Sequence, residues 1–163
     1  MGRTSTGVIG IRLDEDDEVI SMVPYFENTT LLVVTVNGFG KRTDLDEYKV
    51  QTRGGKGVLT YRVTEKTGYL IGAMSGDEDD DLMLISTDGT IIRMHINEIS
   101  ILSRVTQGVT LMRTSEDNRV ASLARISADV KENEEEEEEA EAEEQEEQEE
   151  SIIPDITPEE DNE

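Results

Sequence analysis

Along residues 1–131, apolar positions fall into short runs cut by turn residues. Leu31-Leu32-Val33-Val34-Thr35-Val36 runs into Asn37-Gly38, and Leu82-Met83-Leu84-Ile85-Ser86-Thr87 runs into Asp88-Gly89. Apolar, β-branched segments ending in Asn-Gly or Asp-Gly predict hairpins with type I′ turns, because both central residues of such a turn need positive φ. Further strands are predicted over 8–13, 58–63 and 109–114, each directly after a glycine, and over 120–126. No long 3.6-period stretch competes with them, so the body reads as all-β.

The runs repeat. Laying Gly7-Val8 on Gly57-Val58 and on Gly108-Val109, with offsets of 50 and 51, also superimposes Arg3, Arg53 and Arg104. The same spacing pairs Asn37-Gly38 with Asp88-Gly89, Arg42 with Arg93 and Leu45 with Ile96. A period near 50 is the size of a four-stranded propeller blade. Two full repeats and a partial third fall short of the roughly four to eight blades that close a propeller, so the pattern predicts part of a larger array.

Composition changes abruptly after residue 131. The full sequence of 163 residues has 15 Lys+Arg and 39 Asp+Glu, a formal charge of -24. Residues 132–163 hold 19 of those acids and no Lys or Arg, which leaves the body only mildly acidic. Like charges at every helical spacing and almost no apolar surface predict a disordered polyacidic tail over 132–163, with residues 1–131 as the folded domain. The low pI is thus a property of the tail and does not exclude nucleic acid as a partner of the body. With no cysteine, disulfides, thiolate metal sites and cysteine nucleophiles are excluded and a reducing compartment fits. No apolar run reaches the roughly 18 residues of a membrane span, so a cytoplasmic protein without a membrane partner is expected.

The most specific motif is Gln51-Thr52-Arg53-Gly54-Gly55-Lys56-Gly57, a loop before a predicted strand. Glycines let the backbone bend until its N–H groups and the Arg53 and Lys56 heads face one phosphate chain. The frame is not a P-loop, because Lys56 is followed by Gly57 where that motif has a hydroxyl residue. A plain glycine turn with solvated charges is the competing reading. The equivalent loops carry one cation each, Arg3 and Arg104. Lys41, Arg42 and Arg93 follow the hairpin turns, where they either line the same rim or sit as solvated strand-end charges. His95 is the sole histidine and cannot build a usual zinc site without cysteines. Asp77-Glu78-Asp79-Asp80-Asp81 lacks the EF-hand spacing.

The heptapeptide resembles the Q-R-R-G-G-K-G box of the DNA gyrase A C-terminal domain, differing only at Thr52. The surrounding segments Asn37-Gly38-Phe39-Gly40-Lys41-Arg42-Thr43, Ile96-Asn97-Glu98-Ile99-Ser100-Ile101 and Arg104-Val105-Thr106-Gln107-Gly108-Val109 are similar to the last blades of that domain. The resemblance implies a β-pinwheel, a propeller variant whose blades exchange strands, with duplex DNA wrapped around a basic rim. It implies phosphate contacts at Arg53 and Lys56 on a loop shaped by Gly54, Gly55 and Gly57, with Gln51 in the DNA-binding box and weaker contacts at Arg3 and Arg104; Lys41, Arg42 and Arg93 are further candidates from their place after the hairpin turns. The family's principal box lies in its first blade, which would precede Met1. Further implied partners are the rest of the gyrase A polypeptide and the ATP-hydrolysing gyrase B polypeptide, in an A2B2 heterotetramer.

The parent so implied is a type IIA topoisomerase, an isomerase that introduces negative supercoils, in a bacterial cytoplasm at the nucleoid. This chain itself is expected to be no enzyme and to hold no cofactor. No tyrosine follows an arginine as the family's DNA-cleaving tyrosine does, and ATP and Mg would belong to other domains or polypeptides. Two alternatives stand: the C-terminal domain of the A-type polypeptide of topoisomerase IV, and a propeller-type protein-interaction scaffold whose acidic tail binds basic partners. In the gyrase reading the tail, a tethered polyanion, modulates wrapping by competing with DNA for the rim.

Overall fold

A computed structural model describes residues 2–27, 29–115 and 117–130. The polyacidic tail lies outside the described residues. Among the described residues seven strands, all within Met1–Ser127, make two antiparallel sheets. They are β1 (Thr30–Thr35), β2 (Phe39–Asp44), β3 (Leu70–Gly76), β4 (Asp81–Ser86), β5 (Ile91–His95), β6 (Val109–Thr110) and β7 (Val120–Ile126). The first sheet has the order β3-β1-β2-β6 and the second β5-β4-β7.

The strand exchange follows the repeat. Each repeat supplies one hairpin, β1–β2 or β4–β5. The open side of its first strand is taken by a strand from the following repeat: β3 pairs with β1, and β7 with β4. The registers match, since Thr30 faces Gly76 as Asp81 faces Ile126, and both ladders slip at the same place, Val34/Thr35 and Ile85/Ser86. The edge of β2 is then closed by β6, two repeats further along, with Gly40 opposite Val109. Flanked by a strand on both sides, β1 is almost wholly buried, which is why its sequence reads as a continuous apolar run rather than an alternation.

Leu32, Val34, Leu82, Leu84, Ile96, Ile99, Met112 and Val120 form one core. By the 51-residue spacing Leu82 corresponds to Leu31, not Leu32, so the two sheets turn opposite faces toward each other. Successive blades of a propeller stack in this way. Truncating a fully buried leucine such as Leu84 to alanine removes contacts from both blades, at a cost of about 2–5 kcal/mol.

Two expectations are corrected, and one strand appears that was not expected. The hairpin turns are one residue longer than type I′. The Gly38 N–H donates to the Thr35 carbonyl and the Gly89 N–H to that of Ser86, with φ of 77° and 85°. This is the loop that ends on one left-handed glycine. Residues 8–13 and 58–63 do not form ladders, and only Val109–Thr110 of 109–114 does, because β6 alone among the three has a hairpin edge beside it. In place of a ladder, residues 10–12 meet the next repeat's glycine loop through an isolated bridge, Ile11 to Gly55. Finally, Leu70-Ile71-Gly72-Ala73-Met74-Ser75-Gly76 is a full strand although no turn signal marks it.

Candidate nucleic-acid interface

The loop at 51–57 is fixed by its backbone and open at its side chains. The Gly54 N–H donates to the Gly10 carbonyl at 2.8 Å, and the Arg12 N–H to the Gly55 carbonyl at 2.9 Å. Gly54 and Gly57 have φ of 74° and 79°, in the left-handed region where a β-carbon is strained. Arg53 is exposed and its guanidinium has no partner among the described residues. Lys56 Nζ meets Asp14 Oδ1 at 2.7 Å, but both side chains are more than 70% exposed, so an incoming phosphate can replace the carboxylate at small cost. Gln51 is exposed and donates to the Lys49 carbonyl. Arg3, on the first copy of the loop, is likewise exposed in a turn closed by Ser5 on Gly2.

The third copy is built differently. Arg104 is folded inward: Nη1 donates to the Leu59 carbonyl at 3.0 Å, the guanidinium lies 5.8 Å from the Tyr48 ring centre, and Nε is buried 4.0 Å from Glu47. Its backbone N–H is taken by Glu47 Oε2 at 3.1 Å. Gly108, φ 71°, packs so closely on Gly40 that a β-carbon would collide with the Gly40 carbonyl.

Lys41 and Arg42 do not line a rim. Lys41 is fully buried, and its Nζ donates to the carbonyls of Ser103 at 2.7 Å and Arg104 at 2.6 Å and to Thr106 Oγ1 at 3.2 Å. Burial pushes its pKa down, and Glu47 opposes that shift. Tyr61, its ring 5.3 Å from the same ammonium, donates its hydroxyl to the Gln107 carbonyl, and burial raises its pKa to about 12. Arg42, also buried, donates from Nε to the Ile99 carbonyl at 2.8 Å and pairs with Glu78 at 3.3 Å. Both residues are internal cations that hold non-local loops, a need that their place after a hairpin turn does not reveal. Arg93 is partly exposed, yet its Nε sits 2.6 Å from buried Asp81, so its charge is answered inside the blade. His95 joins the same carboxylate at 2.7 Å.

A second cationic feature is only partly marked by the repeat pattern. Lys66, Arg113 and Arg119 line an open cleft of about 650 Å³ at the tip of the β1–β2 hairpin, with Phe39, Thr110 and Ser115. Among the described residues no acid lines it. Across the matched segments 8–13, 58–63 and 109–114 Arg113 recurs with Arg12 and Arg62, but Lys66 falls on Asp16 and Arg119 on Tyr69, so periodicity marks only one of the three cations.

Two blades that swap strands, joined by glycine loops, define a β-propeller repeat protein. The family profile described as DNA gyrase C-terminal domain, beta-propeller, matches residues 1–25, 29–76 and 80–127, and the chain belongs to that family. It is 45% identical over 134 residues to the DNA gyrase A polypeptide of Salmonella typhimurium, covering 82% of this chain and 15% of the relative. To the DNA gyrase A polypeptide of Staphylococcus aureus it is 39% identical over 161 residues, covering 97% of this chain and 18% of the relative. The chain thus spans less than a fifth of the length of these relatives. Among solved structures, a DNA gyrase A C-terminal domain is similar with a TM-score of 0.68 at 26% identity, covering 74% of this chain and 41% of that one. A DNA topoisomerase IV C-terminal domain, TM-score 0.69 at 23% identity over 75% of this chain and 38% of that one, shares the fold.

Proposed function

We propose that this chain binds the backbone of duplex DNA without reading sequence and forms part of the wrapping surface of a DNA gyrase A polypeptide. The observation that carries the reading is the loop at 51–57, whose backbone is anchored while Arg53 and Lys56 face solvent. The 39–45% identity to gyrase A polypeptides supports it over the topoisomerase IV alternative, to which the likeness is one of fold. A protein-interaction scaffold has no need of the cations at Arg3 and Arg53 on equivalent exposed loops.

In this reading the chain does no bond chemistry. It neutralises phosphates, releases counterions and bends the duplex along its edge, so that a distant segment reaches the cleavage gate with one handedness. The cleavage tyrosine, the ATP site and Mg belong to other parts of an A2B2 complex of gyrase A and the ATP-hydrolysing gyrase B, an isomerase of the bacterial cytoplasm. The tail, with 19 acids in residues 132–163, competes for the same cations, at an effective concentration on the order of millimolar. Filter binding with two duplexes of unrelated sequence tests the reading: equal, strongly salt-dependent affinity is expected, and no retention of either duplex at low salt, with the tail removed, would overturn it.

A further inference from the structure

We propose that the cleft at the tip of the β1–β2 hairpin is a second binding site for the phosphodiester backbone of duplex DNA, with Lys66, Arg113 and Arg119 as its ligands. The inference rests on the reading of the chain as a DNA-binding module and names a contact that the glycine loops do not supply.

The cleft is assembled around one residue. Asn37, at the hairpin tip, donates from Nδ2 to the Lys66 carbonyl at 3.0 Å and from its backbone N–H to the Thr67 carbonyl, which fixes the turn that bears Lys66. Its own carbonyl accepts the Thr114 hydroxyl at 3.2 Å, and the neighbouring Gly38 carbonyl accepts the N–H groups of Leu111 and Met112. Those bonds set the segment that bears Arg113. Arg119 is held through its backbone: its N–H donates to Thr87 Oγ1 at 3.1 Å and its carbonyl accepts the Thr87 N–H at 2.8 Å. Three cations from three separate segments are therefore placed by backbone bonds while their charged heads stay exposed. None of the three forms an ion pair with a described residue.

Charge makes the arrangement specific. The body holds more acids than bases, yet of the nine described residues lining the cleft three are cations and none is an acid. Close cations repel one another, and a bound anion relieves that repulsion. Two guanidiniums supply planar donor pairs that match phosphate oxygens, and Ser115 and Thr110 add hydroxyls. Stacking of an unpaired base is disfavoured, because Lys66 Nζ already lies 5.3 Å from the Phe39 ring centre. A duplex backbone suits such a surface better than an unpaired strand.

The third repeat also explains why the contact is displaced from its loop. Arg104 is folded inward, and Arg125 pairs with Asp80 at 3.4 Å. The two remaining arginines of that repeat, Arg113 and Arg119, are the pair in the cleft. The phosphate contact that the second repeat makes from its glycine loop is carried in the third by the cleft.

The test measures duplex binding against salt for the full chain, its R113A/R119A variant, its R53A/K56A variant and the fourfold variant, with thermal melting to verify folding. Two lost phosphate contacts flatten the log K against log[salt] line by about 2 and weaken binding at 50 mM salt by about tenfold or more. The expected result is that slope loss for each double variant, about twice it for the fourfold one, and retention of the slope in R113K/R119K. An unchanged slope in R113A/R119A beside a flattened one in R53A/K56A overturns the cleft and leaves the DNA-binding reading intact. Tighter DNA binding by R113A/R119A also overturns it, because the cleft then holds acidic chain. Failure of the unsubstituted chain and of its tailless form to bind duplex is a failure of the underlying reading.

Discussion

The loops at 51–57 and 103–108 occupy the same place in successive repeats and are built in opposite ways. In the earlier one two glycines leave room beneath the backbone, and the cations point out. In the later one Val105-Thr106-Gln107 replaces Gly54-Gly55-Lys56, Lys41 comes up from β2 to bind two of its carbonyls, and Arg104 turns in on Tyr48 and Leu59. Leu59 has its counterpart for Arg53 in Ile9, yet among the described residues Arg53 makes no such bond. An arginine recurring at a fixed spacing is therefore no proof of a recurring ligand. In the later loop a second cation, Lys41, and the Tyr48 ring are packed beneath the backbone, and there the arginine turns inward.

The largest effect that separates the two loops is expected at Lys41. Lys41→Met takes the donor from the Arg104 carbonyl and leaves the Ser103 carbonyl with only the Thr106 hydroxyl, and should lower stability by about 3 kcal/mol or more in chemical denaturation. Lys56→Met, with an exposed side chain, should change stability by less than about 0.5 kcal/mol. Comparable losses in the two variants would erase the distinction.

Glycine substitutions sharpen the contrast at the next level. Gly57→Ala meets only the strain of positive φ and should cost about 1 kcal/mol, whereas Gly108→Ala adds a collision with the Gly40 carbonyl and should cost about 2–4 kcal/mol. Equal midpoints in urea would show that the later loop is no more tightly packed than the earlier one.

Alkaline pH probes the clamp from the other side. Tyr61 has a folded pKa of about 12 against an ordinary value of 10.0, so its contribution is fully present below pH 10 and is lost as pH rises from 10 to about 12. Lys41 works in the opposite direction: with its pKa lowered, stability is gained as pH approaches 10.5. Tyr61→Phe should therefore reduce the loss of stability between pH 10 and 12 and remove the phenolate absorbance component near pH 12. A phenolate titration in which no component near pH 12 disappears with Tyr61 would contradict the burial of that ring.

The smallest expected effect is at Asp14. Asp14→Asn frees Lys56 from its exposed pair and should tighten duplex binding about twofold at low salt, with no change once salt screens the pair. A weaker complex would mean that Asp14 positions Lys56 rather than competing for it.

Much of this was legible in the sequence. Asn37-Gly38 and Asp88-Gly89 mark hairpins because glycine is needed at positive φ, and the spacing of 50–51 residues aligns the exchanged strands to the residue. What was hidden depends on distant chain. Strand β3, rich in glycine, alanine and serine, has little propensity of its own and forms because β1 offers it an open edge. Residues 58–63 carry a strand pattern without a hairpin alongside. Lys41 and Arg42 look like surface charges because local pattern cannot show that residues 97–106 fold over them. The cleft of Lys66, Arg113 and Arg119 has no motif, being assembled by Asn37 from segments far apart in sequence.

The central claim, that the second glycine loop meets phosphate while the third is a structural joint, is tested most directly by one salt titration of duplex binding on R53A/K56A and R104A, each with its melting temperature. R53A/K56A is expected to flatten the log K against log[salt] line by about 2 with an unchanged melting temperature, and R104A to leave the slope intact while melting earlier. An unchanged slope in R53A/K56A, or a slope loss in R104A with no loss of stability, would contradict the claim.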